Sequence, residues 1–296
     1  MLYRLYVDFF KRGNSEIYRA LENEDFDYVI KLIKNECYNS NFKQSIARNR
    51  HIYESPCWNT MLTLLLEYDF PKDVMLDSAA MYGKLSIIHF MCENGATVSN
   101  ATLTEACREG HIEVAKYLVQ LGCDPKQVDL ANIAGNRQFE TLKWLHSLGA
   151  PLVENIPENA AYYSQWEMVK WSIEQGCVWG HKVLEYVSEC ANLEMMQWLY
   201  EKNPSRLHAN LSRMLYYLFS RSNLPWRRQK QPEDRLDCFT FLFTIALDKQ
   251  AFWYVNVVFP NSLLSCIDLS KEVWQPLFDL DLSHHKKLKE RVDAEK

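Results

Sequence analysis

The chain has 296 residues, a formal net charge of −5, 48 % hydrophobic residues, 9 glycines and 10 prolines. So large an apolar fraction supports a buried core and excludes a wholly disordered chain, while the scarcity of glycine and proline argues against a turn-rich sandwich or barrel. The mild negative charge provides no general attraction to nucleic acid or an anionic membrane.

At the N-terminus, Met1–Phe10 is apolar but broken by Arg4 and Asp8, so it lacks the uninterrupted centre of a signal peptide. Apolar periodicity predicts a loose helical unit over Ile17–Cys37, and residues 1–49 read as a cap with a degenerate first repeat. From 50 to 205 a 27-residue period governs the chain. Gly95, Gly122, Gly149 and Gly176 mark it, with Asn203 next in line. Each follows an apolar-periodic segment, where a helix ends in a left-handed residue; glycine adopts that conformation freely and asparagine is next best. Ala79, Ala106, Ile133, Ala160 and Val187 form a small apolar column in the same phase. Leu85, Ile112, Phe139, Trp166 and Leu193 form a larger one, and Phe90, Tyr117, Trp144, Trp171 and Trp198 an aromatic one, expected in the core between repeats. Glutamate recurs at 113, 140, 167 and 194 and lysine at 116, 143 and 170, three apart on an exposed helix face. Within one unit the pattern predicts a short helix Leu103–Arg108, a corner at Gly110 and a second helix Ile112–Leu121.

Residues 206–283 continue as a degenerate repeat and helical cap. A further helix pair is expected at Leu211–Ser220 and Arg235–Asp248, separated by the polar insert Arg221–Asp234. Gln250–Ile267 carries no formal charge, but Asn256, Pro260 and Asn261 favour buried helices over a membrane span. The charged stretch 284–296 reads as a solvated tail. The expected fold is therefore all-α, an α-solenoid of stacked helix-turn-helix repeats, in which no unit buries its apolar face without neighbours.

The run Ala106-Cys107-Arg108-Glu109-Gly110-His111-Ile112-Glu113-Val114-Ala115-Lys116-Tyr117-Leu118, closed by Gly122-Cys123-Asp124-Pro125, resembles the core of an ankyrin repeat. Leu142–Pro151 is similar to the divergent ankyrin repeats common in giant viruses, amoebae and the microbes that live in them. The resemblance covers about residues 50–205, and more loosely 15–250. Two departures matter: the ordinary period is about 33 residues, and the Thr-Pro-Leu-His start of the first helix is absent. The residues missing from each unit fall where the family builds a projecting hairpin, so the fingers are expected to be short.

The resemblance implies a protein-binding scaffold that uses its concave face, through the variable pair ending each first helix. Carried over, these positions are Met81 and Tyr82, Arg108 and Glu109, Gly135 and Asn136, Tyr162 and Tyr163, and Glu189 and Cys190. Their chemistry varies while neighbouring columns hold constant, which suggests display. Tyr162 and Tyr163, with Trp179 in the following loop, make the most anchor-like group, because large rings contribute area at low entropy cost. The insert offers a second candidate surface, with Trp226, Arg227 and Arg228 suited to an acidic partner; the plainer reading is a solvated loop. His111 is expected to order its corner by hydrogen bonding.

No cofactor or metal site is expected. The 9 cysteines include no Cys-x-x-Cys pair and point to reduced thiols in the cytoplasm, with Cys123 and Cys177 as small buried residues. No phosphate loop, His-Glu-x-x-His or nucleophile elbow is present. The expected function is a non-catalytic adaptor for a protein partner, without nucleic-acid binding or membrane insertion, and in keeping with the repeat style a viral or microbial effector acting on host proteins. One alternative is the substrate-recognition subunit of a larger enzyme such as a ubiquitin ligase. A more remote one is an enzyme whose Cys/His chemistry assembles only in the fold.

Overall fold

A computed structural model describes residues 40–219 and 232–248, with isolated positions between 19 and 31. The expectations for the N-terminal run, most of the Ile17–Cys37 unit, most of the insert, the Gln250–Ile267 stretch and the charged tail lie outside these residues. The described residues contain helices and no strand.

The chain divides into two compact units, Met1–Leu152 and Val153–Lys296. The division falls inside the stretch that the period alone treats as one array. The first unit holds α1 (Ser40–Ala47), α2 (Arg50–Glu54), α3 (Trp58–Glu67), α4 (Lys72–Met81), α5 (Leu85–Glu93), α6 (Asn100–Glu109), α7 (Ile112–Gln120), α8 (Leu130–Gly135) and α9 (Phe139–Ser147). A 3-10 turn, Pro125–Gln127, precedes α8. Each first helix packs on the second helix of its own repeat: α4 on α5, α6 on α7 and α8 on α9. First helices also pack on one another, α4 on α6 and α6 on α8.

The second unit holds α10 (Ile156–Tyr162), α11 (Trp166–Glu174), α12 (His181–Glu189), α13 (Leu193–Lys202), α14 (Pro204–Phe219) and α15 (Pro232–Asp248). Here α10 packs on α11 and α12, α12 on α13 and α14, and α13 on α15. The expected last helix pair is present as α14 packed on α15, with α14 starting seven residues earlier than the period suggests.

Local chemistry sets these boundaries. Ser99 begins α6 with a reciprocal cap: its hydroxyl accepts from the Thr102 N–H at 3.3 Å, while the Thr102 hydroxyl accepts from the Ser99 N–H at 3.4 Å. Asp129 starts α8 by accepting from the Ala131 N–H at 2.9 Å. The second helices end where expected, with left-handed φ values of 76°, 99°, 90° and 94° at Gly95, Gly122, Gly149 and Gly176. Asn203 departs from that series, with φ −154° and ψ 83°. The next residue is Pro204, whose ring forces its predecessor into extended backbone. The Asn203 side chain instead accepts from the Arg206 N–H at 3.1 Å, inside the first turn of α14.

The core follows the small column: Ala79, Ala106, Ile133, Ala160 and Val187 are fully buried. The aromatic column departs from expectation. Phe90, Tyr117, Trp144, Trp171 and Trp198 are all half-buried. Second helices bury Ile88, Ala115, Leu142, Val169 and Met196 and, one turn on, Met91, Leu118, Leu145, Ser172 and Leu199. Each aromatic residue directly precedes a member of this second set, so it sits about 100° further round the helix. Its ring therefore flanks the packed stripe, as where Trp58 meets Phe90 edge-on at 5.5 Å and Lys202 lies over Trp198 at 5.1 Å.

Candidate partner-binding surface

The candidate surface in the first unit grows from α4 and α6. α4 buries Val74, Met75, Leu76, Ser78, Ala79 and Ala80, which leaves Asp77 and Met81 half-buried, four residues apart on one side. α6 buries Thr102, Leu103, Ala106 and Cys107 and leaves Glu105 and Arg108 half-buried. With Ser78 and with Arg48, which follows α1, these side chains line a recess of about 280 Å³.

Arg108 is the connector. Its guanidinium lies 2.5 Å from Glu105 Oε2 and 3.2 Å from Glu109 Oε1, and Nη2 donates to Met81 Sδ at 3.7 Å. Met81 is held from the other side, since His111 Nε2 donates to its carbonyl oxygen at 3.0 Å. The acceptor is a carbonyl, so Nε2 must carry the proton; the hydrogen bond expected of His111 is present. Tyr82 turns toward the start of the unit, donating to the Arg48 carbonyl at 3.1 Å and packing on the Tyr53 ring at 5.4 Å.

Asp77 accepts from the Thr102 hydroxyl at 2.7 Å. Burial nonetheless raises its proton affinity above the ordinary aspartate value; the Thr102 bond offsets this in part, Asp73 adds to it and Arg48 opposes it. Glu105 is raised too, first by burial, with Arg108 opposing and the charges of Asp77 and Glu109 reinforcing. The recess thus holds two carboxylates whose charged forms are both disfavoured.

Further along the same unit, Asn136 closes α8 and its amide donates to the Asn132 backbone and side-chain oxygens, both at 2.9 Å. In the second unit Tyr162 and Tyr163 meet edge-on at 4.8 Å where α10 ends, and Tyr162 meets Tyr186 of α12 at 5.5 Å. All three rings are half-buried, as is Glu189 one turn beyond Tyr186. Trp179 corrects the expected trio. It is 5 % exposed, because the Arg206 guanidinium covers its ring at 4.8 Å and donates to its carbonyl. The exposed large apolar residue of that loop is Val178. Trp226, Arg227 and Arg228 lie outside the described residues.

Reasoning from the variable pair alone missed Glu105 and Tyr186. They occupy the same repeat position, three residues before Arg108 and Glu189. Helical geometry places that position one turn back on the same side, so the period could have found it.

Several of the described thiols are held in the neutral form by burial. Cys107 is fully buried and pushed up to about 12 by loss of solvation. Cys123 and Cys177, also buried as expected, are raised for the same reason. Among the described residues no group of acidic, His or Cys side chains is placed to hold a metal ion, and no helix is long and apolar enough to cross a membrane.

Residues 102–130, which run from α6 through α7 and the 3-10 turn to the first residue of α8, match the ankyrin repeat family. No curated protein matches the sequence.

Proposed function

Because the chain is an ankyrin-repeat protein, we propose that it is a non-catalytic scaffold that holds a protein partner along the ends of its first helices. The observation that carries this reading is the recess at Met81 and Arg108. Two positions belonging to the variable row, 27 residues apart, meet there and share a charged, half-buried hollow. Such a hollow takes a projecting side chain, and its surrounding rim excludes water from the contact. The three-tyrosine group at Tyr162, Tyr163 and Tyr186 supports a further contact in the second unit. We extend the reading to a reducing cytoplasm, which the lack of a disulfide among the described cysteines supports. The likeness of Leu142–Pro151 to repeats of giant viruses and intracellular microbes supports an effector that acts on host proteins.

The test compares three full-length proteins by quantitative affinity capture: wild type, M81A/R108A and Y162A/Y163A. The expected result is a defined partner retained by wild type and weakened about tenfold in at least one variant, a loss of about 1.4 kcal/mol, with helical circular dichroism unchanged. Partner retention equal in all three would remove the first-helix row as the binding surface.

A further inference from the structure

Asn94 is the one asparagine in the chain that a glycine follows. We propose that Asn94 and Gly95 form a self-modification site, at which the folded protein converts Asn94 to aspartate and isoaspartate without an enzyme, promoted by the ammonium of Lys72.

The chemistry needs a backbone nitrogen, a side-chain amide and water. The Gly95 nitrogen gives up its proton to hydroxide and attacks Asn94 Cγ. The Cγ–Nδ2 bond breaks, Nδ2 leaves as ammonia, and a five-membered succinimide remains. Water then opens the ring. Cleavage at Cγ yields aspartate, and cleavage at the backbone carbonyl yields isoaspartate. In sum an amide and water become a carboxylic acid and ammonia, with nothing oxidised or reduced.

Three features favour this position. Asn94 and Gly95 are both exposed at the end of α5, where water has access and hydrogen bonds open first. Gly95 presents no side chain, and the nearest neighbour to a Cβ placed there is Lys72 Nζ at 3.9 Å, so the approach to its nitrogen is uncrowded. Most specifically, Lys72 at the start of α4 donates from Nζ to the Asn94 carbonyl oxygen at 3.0 Å. That carbonyl is conjugated with the Gly95 nitrogen, so a cationic donor on it stabilises the negative charge that the nitrogen acquires on losing its proton. Two bonds oppose the reaction. Asn94 Nδ2 donates to the Phe90 carbonyl at 2.8 Å, and the Gly95 N–H to the Cys92 carbonyl at 3.0 Å. Both must open before attack, which sets the native rate below that of the unfolded chain.

Asn136 supplies an internal comparison. It also ends a helix in the same backbone conformation, is exposed, and donates from Nδ2 to the carbonyl four residues back. Arg137 follows it, however, and among the described residues no lysine donates to its carbonyl oxygen. Conversion of Asn94 removes the donor to Phe90 and puts a negative charge at the carbonyl end of α5, where the helix dipole disfavours it. The end of that repeat therefore loosens as the molecule ages.

The test incubates the full chain at mildly alkaline pH, folded and in urea, and follows peptide masses with chromatographic separation of the aspartate and isoaspartate forms. Folded wild type should accumulate both products at position 94, ahead of any at Asn136. Lys72→Met should slow the folded reaction by about threefold, as removal of one solvent-exposed charge interaction implies. In urea, where that contact is absent, the two proteins should react equally and faster than when folded. Asn94→Gln should form no product, since its longer side chain would have to close a six-membered ring. Four outcomes would each overturn the proposal: no product at 94 in folded protein while the urea-treated chain converts, aspartate without isoaspartate, earlier conversion of Asn136, or a folded Lys72→Met protein that reacts as fast as wild type.

Discussion

At Arg137 a bulky residue occupies backbone that suits glycine. Its φ is 66°, and the equivalent positions read 68° at Gly83, 82° at Gly110, 58° at Ser164 and 43° at Ala191. Left-handed backbone costs an ordinary L-residue about 1 kcal/mol, and among the described residues the exposed Arg137 side chain has no hydrogen bond or ion pair that would offset it. Arg137→Gly should therefore stabilise the protein by about 0.5–1 kcal/mol, less than the full conformational cost because glycine also loosens the unfolded chain. A higher urea midpoint with an unchanged slope is the expected reading. Asp77 gives a pH-dependent counterpart. Its carboxyl holds a proton more tightly folded than unfolded, so the native state binds more protons, and this group's contribution to stability falls as pH rises from the ordinary aspartate range through its raised value. Asp77→Asn keeps an acceptor for the Thr102 hydroxyl and carries no charge. It should be more stable than wild type at pH 7 and lose that advantage toward about pH 4; a difference independent of pH would contradict this.

Between elements, successive repeats interlock at their corners. A Cβ on Gly83 would lie 2.5 Å from His111 Nδ1, so the histidine of the following repeat occupies the space that glycine leaves. The same ring reaches Met81 through its other nitrogen. Gly83→Ala should cost about 2–3 kcal/mol, from left-handed strain together with displacement of a packed ring. His111→Ala removes the clash and leaves the strain. In the double variant the alanine should cost only about 1 kcal/mol, a coupling that chemical denaturation of all four proteins measures. Equal cost in both backgrounds would mean that the corner is not interlocked. The exposed Glu–Lys pairs carry less weight. Lys116 and Lys143 reach Glu113 and Glu140 at 2.7 and 2.6 Å, but Lys170 reaches Glu194 on α13. Pairs so exposed contribute under about 1 kcal/mol each.

Across the whole molecule the cysteines report packing in both units. Cys107 and Cys238 are fully buried, one in each unit, whereas Cys57 is exposed. Among the described cysteines, a thiol reagent at neutral pH should modify Cys57 first and leave Cys107 and Cys238 protected until urea unfolds the chain, since a buried thiol is out of the reagent's reach. Mass mapping of the labelled peptides provides the measurement. Rapid native labelling of Cys107 would contradict its placement and reopen the question of thiol chemistry.

The repeat itself was legible from one dimension. Stacked units impose identical packing at a fixed spacing, so the small column, the closing glycines and the helix pairs could be read from residue numbers alone, including the pair α14 and α15. The variable row was legible as a set of positions, and the structure places Met81 beside Arg108 and Tyr162 beside Tyr163. Three further features depended on neighbours that a period does not contain. Pro204 decided the backbone of Asn203; Arg206, 27 residues away, decided that Trp179 is covered; and helical phase decided that the aromatic column flanks the core. The recess belongs with these. Asp77 and Glu105 lie far apart in sequence, and the packing of α4 on α6 brings them to one hollow and removes part of their surface from water. Sequence by itself determined which units repeat, because local periodicity encodes each helix's own buried stripe. Tertiary structure decided which side chains remain accessible and how their charges are solvated, because burial is a property of what packs alongside.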